Sequence, residues 1–323
     1  MTQHRYAKLV LAACGVLLIS YLLWRNDFSD VMAETGILGS WILALALWRL
    51  GIIAVMACGW RCLLVSVGDG SLLRFICFRW VAESVNTLLP VAQVGGELVR
   101  TRLAGRLVPA GKSFAAASVV ADMTINLLGQ ALLVGVGASQ VWNTTPDRGL
   151  LLLACAAAFL PVAGIVYAQR AASQNSSSRL FGRLKPGFGK ELFDAALPFA
   201  DGLRAIYANN ARLMLATISH VIAGFARALE VWLILALLQH RVSFLDAIMI
   251  EGLSSAVRTA AFVVPAGLGI QEGALILVCA WAGVPAVSAL ALAAAKRVRE
   301  LLVGVLGLAV WAYLEGRHSV AAE

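Results

Sequence analysis

Two interrupted hydrophobic segments carry the residues of this chain that could do chemistry. Each has a proline, then glycines, then a glutamate seven positions after the proline. These residues are Pro90, Gly95, Gly96 and Glu97 in the first segment and Pro265, Gly267, Gly269 and Glu272 in the second. Proline and glycine interrupt helices, and backbone groups freed inside a bilayer must be buried in protein or line a wet cavity. Paired interruptions in the two halves of a membrane protein indicate a transporter's substrate site.

Ionisable side chains near the interruptions form the predicted substrate-binding set. It comprises Glu97, Arg100, Asp122, Arg258, Glu272 and Arg297. A charge inside the hydrocarbon costs roughly 3 kcal/mol on insertion scales, so each one needs a reason. The amides at a half-helix N-terminus and the forked guanidinium group both bind anions, which suggests a phosphate-bearing ligand.

The alternative is that such charges are structural pairs that hold helices together. Three acid–base pairs are spaced three positions apart, which places both side chains on one helix face. They are Glu97 with Arg100, Arg227 with Glu230, and Arg297 with Glu300. We expect a functional role for the acids of the interruptions and leave both interpretations open for Arg227 and Glu230.

No metal, cofactor or catalytic site is predicted. The four histidines are scattered, and the six cysteines lie in apolar segments without a second ligand pair. The glycines of 267–273 lack the spacing and the βαβ context of a dinucleotide-binding loop. Because neither a metal site nor an activated nucleophile is recognisable, we expect a protein that is not an enzyme.

The composition indicates a polytopic membrane protein, whose helices must position these residues. Of the 323 residues, 60% are hydrophobic and 14% are charged, and the mean hydropathy is +0.83. A net charge of +8 could indicate a nucleic-acid partner, but the basic residues lie in short loops between apolar runs. The predicted architecture is all-α, in a single membrane domain over residues 1–323.

Apolar runs of about 20 residues predict six full crossings. They lie at 9–25, 38–67, 113–137, 149–168, 211–238 and 286–314. The interrupted segments, 71–104 and 243–283, are each predicted to be a re-entrant hairpin of two half-helices or a pair of short crossings. Either alternative returns the chain to the side from which it entered.

Loop charges orient the predicted crossings. Basic residues concentrate on one face and include Arg5, Lys8, Arg61, Arg74, Arg79, Arg100, Arg102, Arg106, Lys112 and the seven between 170 and 212. The opposite face receives the loops predicted at 26–37, 138–148 and 239–243. By the positive-inside rule both termini are cytoplasmic, and we expect a bacterial inner-membrane location with an uncleaved first crossing.

The parity of the crossings predicts an inverted repeat. Three full crossings separate the interrupted segments, so these enter from opposite faces and their tips meet near the midplane. The predicted repeats are 38–137 and 211–314, joined by the linker crossing 149–168 and a cytoplasmic loop at 169–210. Asp122 and Arg297 each lie 32 residues after the proline of their repeat. Within the loop, 190–208 has the spacing of an amphipathic helix on the membrane surface.

The paired motifs resemble the lysylphosphatidylglycerol synthase transmembrane-region family. The resemblance rests on Pro90…Gly95-Gly96-Glu97-x-x-Arg100 with Pro265…Gly267-x-Gly269-x-x-Glu272 and extends over 9–314. The family includes the flippase half of the bacterial multiple peptide resistance factor and many stand-alone membrane proteins. The length of the chain and its tryptophan- and arginine-containing second crossing are similar to the stand-alone group encoded near hopanoid biosynthesis.

The resemblance implies a membrane-embedded lipid translocase with two opposed re-entrant elements. Glu97, Arg100 and Glu272 would then be its central polar residues. The soluble aminoacyl-transfer domain of the two-part members has no counterpart in this sequence, so we expect transport or lipid handling rather than lipid synthesis.

We therefore expect an integral membrane protein that moves a polar-headgroup or hopanoid lipid between leaflets. Its predicted partners are the membrane lipid and proteins of lipid biosynthesis, with no nucleic acid. A proton-coupled small-solute transporter and a non-catalytic scaffold for lipid biosynthesis are the alternatives. The first requires a closed midplane site, whereas the function of a scaffold should survive loss of the buried acids.

Overall fold

A computed structural model of the chain is helical over the residues that it describes. Those residues are 20–22, 24–25, 28–64, 71–89, 94–106, 111–142, 148–173, 189–260 and 269–320, and they contain no strand. Their helices are α1 (Phe28–Leu38), α2 (Trp41–Leu64), α3 (Leu72–Leu88), α4 (Gly95–Gly105), α5 (Gly111–Val141), α6 (Arg148–Ser173), α7 (Gly189–Tyr207), α8 (Asn210–Leu237), α9 (Phe244–Ala260), α10 (Ile270–Trp281) and α11 (Ala286–Val320). The predicted all-α class is confirmed.

Four of the described helices are long and apolar enough to cross a membrane. They are α2, α5, α8 and the part of α6 from Leu151 to Arg170, which correspond to four of the six predicted crossings. The predicted crossing 286–314 lies within α11, whose stretch 296–300 carries four charged residues. The crossing predicted at 9–25 lies mostly outside the described residues. The number of crossings therefore stays a prediction.

The first interrupted segment contains α3 and α4, and glycine lets them pack closely. Leu89, which precedes Pro90, has the extended conformation that a residue before proline prefers (φ −102°, ψ 146°). A Cβ added at Gly96 would lie 2.0 Å from the carbonyl oxygen of Ala82 in α3. The Gly96 amide donates to Asn86 Oδ1 at 2.7 Å, so a side chain of α3 satisfies a free amide at the start of α4. Pro90 itself lies outside the described residues.

The second interrupted segment contains α9 and α10. Gly269 precedes α10 at φ +79°, in the left-handed region that favours glycine. Its amide donates to Glu272 Oε2 at 2.8 Å, so the glutamate of the motif caps its own helix. Pro265 and Gly267 lie outside the described residues.

Helices of similar length follow one another in the same order in the two halves. The four helices α2–α5 have 24, 17, 11 and 31 residues, and α8–α11 have 28, 17, 12 and 35. Their packing is reciprocal: α2 packs against α8, α5 against α9, and α11 against α3. Each half thus places its fourth helix on the second helix of the other half.

The core lies between the halves, and apolar side chains cover the outside. The largest cluster of buried residues includes Leu45 of α2 and Val134 of α5 from the first half with Met249 of α9 from the second. Exposed leucines such as Leu47 and Leu160, both 69% exposed, would contact lipid. The protein is therefore a membrane protein.

Two segments outside the long apolar helices are also helical. Residues 28–38, expected within a loop, form α1, which packs against α11. The predicted amphipathic helix at 190–208 is confirmed as α7, whose buried Leu203 and Ile206 face α5. Its position on the membrane surface stays a prediction.

Candidate functional site

Asp122 of α5 is the centre of a buried group of charges, which we call the aspartate cluster (Arg79, Glu97, Arg100, Asp122 and His220). Its Oδ2 accepts hydrogen bonds from Arg79 Nη1 at 2.5 Å and from Arg100 Nη1 at 2.8 Å. The His220 Nε2 lies 2.8 Å from Oδ1. Asp122 is fully buried, and these partners come from α3, α4 and α8. One carboxylate therefore ties four helices together.

Arg100 connects Asp122 to Glu97. Its side chain is 1% exposed, its guanidinium lies 4.6 Å above the Trp60 ring, and its Nη2 pairs with Glu97 Oε2 at 2.8 Å. The Glu97 side chain is 20% exposed, so it is the accessible end of an otherwise enclosed cluster. Three of the six predicted site residues are thus in contact.

A second group of charges surrounds one stretch of α11, and we call it the α11 cluster. Four ion pairs join this stretch to other helices: Lys296–Glu251 at 2.6 Å, Arg297–Glu272 at 3.0 Å, Arg299–Glu230 at 3.0 Å and Arg258–Glu300 at 3.0 Å. Arg227 of α8 also belongs to it, because its Nε lies 3.4 Å from Glu251 Oε1. The partners come from α8, α9 and α10. A single helical stretch therefore contacts three helices through charge.

The other three predicted site residues form a chain within the α11 cluster. Arg258 pairs with Glu300, Glu300 pairs with Arg297 at 3.3 Å, and Arg297 pairs with Glu272. The side chains of Arg258 and Arg297 are 27% and 21% exposed, so both are partly accessible. No ion pair among the described residues joins this chain directly to Glu97.

The two clusters approach each other around α2 and α8. Arg49 donates to Glu83 at 2.6 Å and interacts electrostatically with Glu230 of the α11 cluster. Arg227 interacts electrostatically with His220 and Arg79 of the aspartate cluster. The charges of both halves thus form one ionic network through the centre of the protein.

Spacing alone predicted some of these pairs correctly and others wrongly. The Glu97–Arg100 and Arg297–Glu300 pairs are confirmed. The predicted pairing of Arg227 with Glu230 is wrong. Arg227 pairs with Glu251 of α9, and Glu230 pairs with Arg299 of α11. A helix buried on several sides can satisfy a charge across an interface more closely than along its own face.

Sequence reasoning missed three residues of this network: Arg79, Glu83 and Lys296. Arg79 was expected among basic residues at the cytoplasmic face, but it is buried and donates to Asp122. Arg79 and Glu83 are four positions apart on α3, yet each pairs with a different helix. All three residues could have been found from the sequence, because each is a charged residue inside an apolar helix. Lys296, for example, directly follows three alanines.

An apolar groove lies beside the second interruption. Its volume is about 360 Å³. It is lined by α6, α9 and α10, through Leu153, Ala154, Ala157, Leu253, Val257, Ala260, Gly273, Ala274, Leu277, Val278 and Trp281. Leu153 is 65% exposed, so the groove is open at this side. Gly273, which lines the groove, directly follows Glu272 on α10.

The sequence model of the lysylphosphatidylglycerol synthase TM region matches residues 6–307. The chain belongs to this family. Comparisons with curated proteins and with solved structures found no match. The match spans both interruptions, both charge clusters and the groove. Membership of the lysylphosphatidylglycerol synthase TM region family implies a membrane protein with a lipid-related function.

Metal chemistry finds no support in the part of the chain that the structure describes. No group of three or more His, Cys, Asp or Glu side chains in that part could hold a metal ion. In this member of the family the polar centre consists of ion pairs, which can orient and neutralise a charged ligand.

Proposed function

We propose that this protein moves a polar-headgroup lipid between the leaflets of the membrane. The observation that carries the proposal is an open apolar groove lined by α10, the helix whose Glu272 forms an ion pair with Arg297. A lipid needs both environments at once, because its acyl chains favour apolar surface while its headgroup needs charged partners. Membership of the family supports a lipid as the ligand.

In this proposal the two clusters have different roles. The partly exposed charges Glu97, Arg258 and Arg297 contact the headgroup, together with Glu272, the partner of Arg297. The enclosed Asp122 forms an ion pair with Arg100, and Arg100 forms one with Glu97. Asp122 and Arg100 therefore position Glu97 and need not contact the lipid themselves.

We further propose that the two halves form an inverted repeat. The same order of helix lengths and the reciprocal packing of α5 on α9 and α11 on α3 support a pseudo-twofold relation. The interruptions would then enter from opposite faces of a bacterial inner membrane, with both termini cytoplasmic. Movement of one half against the other would open the centre to each leaflet in turn.

Reconstitution tests the proposed function. The full chain is placed in phosphatidylcholine vesicles containing a trace of fluorescent phosphatidylglycerol, and dithionite is added to quench the label in the outer leaflet. We expect quenching to proceed to the inner-leaflet label in wild type and to slow strongly with Glu272→Gln. Glu315→Gln is the matched control, because Glu315 pairs with Arg102 and Arg106 away from the clusters.

The same preparation separates the other function classes. Quenching that stops at the outer leaflet with wild type, as in vesicles without protein, would refute lipid movement. Coupled uptake of a solute and a proton in that case would identify a solute transporter. If a cell lacking the protein is rescued equally by wild type and Glu272→Gln, a scaffold fits better than a translocase.

A further inference from the structure

The ionic network of the core contains one more positive than negative charge. Its carboxylates are the seven side chains Glu83, Glu97, Asp122, Glu230, Glu251, Glu272 and Glu300. Its cations are the eight side chains Arg49, Arg79, Arg100, Arg227, Arg258, Lys296, Arg297 and Arg299. His220 can only add to the surplus, and the segments 90–93 and 261–268 contain no charged residue. A buried charge without a counter-charge is costly, so the surplus indicates a site for an anion.

The surplus lies within the α11 cluster, where five cations share four carboxylates, and the longest of its ion pairs is the one between Arg227 and Glu251. Lys296 Nζ lies 2.6 Å from Oε2 of Glu251, whereas Arg227 Nε lies 3.4 Å from Oε1. The hydroxyl of Ser255 donates to the same Oε1 at 3.1 Å. Glu251 is therefore already satisfied by Lys296 and Ser255, and Arg227 is the cation that it holds least closely.

The guanidinium of Arg227 has unused hydrogen-bonding capacity. Among the described residues, its terminal Nη1 and Nη2 atoms have no hydrogen-bond partner, and 15% of the side chain is exposed. Of the other central arginines, Arg100 donates to Asp122 and Arg297 donates to Glu272 and Glu300. Arg299 has only its ion pair with Glu230 in the described part of the chain, but its side chain is 5% exposed and so less accessible than that of Arg227. A guanidinium with both terminal nitrogens open matches the oxygens of a phosphate group bidentately.

Charges of both signs surround the guanidinium of Arg227. Glu251 and Glu83 interact with it electrostatically, and so do Arg49 and Arg79. On α8 Arg227 lies between His220 of the aspartate cluster and Glu230 of the α11 cluster. The open nitrogens are thus near the meeting point of the two halves.

We propose that Arg227 binds the phosphate oxyanion of the translocated headgroup, and that the preferred lipid has a net negative charge. This assignment rests on the proposed function, because that function makes the headgroup the source of the anion. The site differs from the arginines beside the two interruptions, which are neutralised within their clusters. With the anion bound, the ionic network of the core becomes neutral.

Equilibrium binding to the purified full chain tests the assignment without any transport step. The probes are dihexanoyl phosphatidylglycerol, dihexanoyl phosphatidylcholine and inorganic phosphate, measured by calorimetry. Both lipids contain a phosphate, but only the first carries a net charge. We expect wild type to bind the phosphatidylglycerol about tenfold or more tightly than the phosphatidylcholine, because the choline cation of the latter leaves the surplus positive charge of the network without a counter-charge.

Four variants make the test specific. Arg227→Gln should lose this preference, Arg227→Lys should keep part of it, and the exposed Arg102→Gln should bind as wild type does. Glu251→Gln should bind phosphatidylglycerol several-fold more tightly, because it removes the carboxylate that competes for Arg227. A gain in affinity cannot come from misfolding, so this variant keeps the test valid if Arg227→Gln is unstable.

The possible results each decide something. Equal binding of the two lipids by wild type, or an unchanged preference in Arg227→Gln, overturns the assignment. Inorganic phosphate that competes as well as the lipid supports the oxyanion site but identifies a free anion as its ligand. Tight binding at Arg227 without any lipid movement in vesicles would refute the proposed function and leave the site standing.

Discussion

At the scale of single residues, the buried charges differ in how many partners hold them. Asp122 has three basic partners from three helices, and each of its oxygens accepts at least one hydrogen bond. Glu272 instead divides its two oxygens between Arg297 and the amide of Gly269. Asp122 therefore acts mainly in holding the fold together, whereas Glu272 links the start of α10 to a partly accessible arginine.

Asp122→Asn should strongly destabilise the protein. The change leaves Arg79 and Arg100 buried with only Glu97 to neutralise them, and breaking a buried charge pair costs about 3–5 kcal/mol. Thermal unfolding of the purified protein in detergent measures this. Asp201→Asn is the control, because that side chain is 68% exposed and pairs with Arg204 on the surface of its own helix. Similar melting of both variants would contradict the structural role of Asp122.

Part of the site was predictable from sequence at this scale. Proline, glycine and glutamate at fixed spacing located Glu97 and Glu272, because helix interruptions and buried acids are local signals. The partners of Glu251 were not predictable, because Lys296 is 45 residues away and the contact depends on the packing of α9 on α11. Spacing along a helix even gave the wrong partner for Arg227.

At the scale of helices, the interruptions produce two pairs of short helices that pack by different means. In the first pair, Gly96 allows backbone contact between α3 and α4. In the second, Gly269 supplies a left-handed turn and Glu272 caps α10. The two glycines were predicted for one reason, the interruption of a helix, but the structure gives them separate roles.

Gly96→Ala should separate α3 from α4. The new Cβ would lie 2.0 Å from the Ala82 carbonyl oxygen, and backbone atoms cannot move aside as a side-chain end can. We expect a loss of about 1–3 kcal/mol or more in unfolding free energy. Gly51→Ala in α2 is the matched control, since no atom lies within 4 Å of its added Cβ. That change should be neutral or stabilise by about 0.4–1 kcal/mol, and equal losses in both would contradict the close packing.

Gly273→Leu should block the groove without unfolding the protein. No atom lies within 4 Å of a Cβ added at Gly273, so the larger side chain would extend into the open apolar space. We expect strongly slowed lipid movement in the vesicle assay with little change in melting temperature. Gly164→Leu on α6 is the control, because it has the same free space and does not line the groove. Unchanged lipid movement with Gly273→Leu would remove the groove from the pathway.

At the scale of the whole molecule, reciprocal packing connects the two halves. The apolar runs predicted four of the crossing-length helices, because length and hydropathy are local properties. The pairing of α3 with α11 was not predicted, because no pattern within one helix specifies which distant helix it contacts. At 35 residues α11 is about 52 Å long, more than the roughly 30 Å of a bilayer core. This length allows it to reach both the ion pairs of the centre and the Arg106–Glu315 contact near one end.

The proposed orientation predicts where fused reporters are active. A fluorescent protein fused after Glu323 should fold and fluoresce in the cytoplasm, whereas alkaline phosphatase fused there should be inactive. The reverse should hold for fusions within 239–243, which the positive-inside rule places on the opposite face. Active phosphatase at the C-terminus would contradict the orientation but not the fold.

The surplus positive charge of the core has a consequence for energy supply. A transmembrane potential acts on each charge that crosses it with about 2.3 kcal/mol per 100 mV. If the central site moves through part of this field, the empty protein carries its surplus charge with it, while the protein loaded with a monoanionic lipid is neutral there. An interior-negative potential would then pull the empty site toward the cytoplasm and leave the loaded site unbiased. The return of the empty site, and not the passage of the lipid, would give transport its direction without nucleotide hydrolysis.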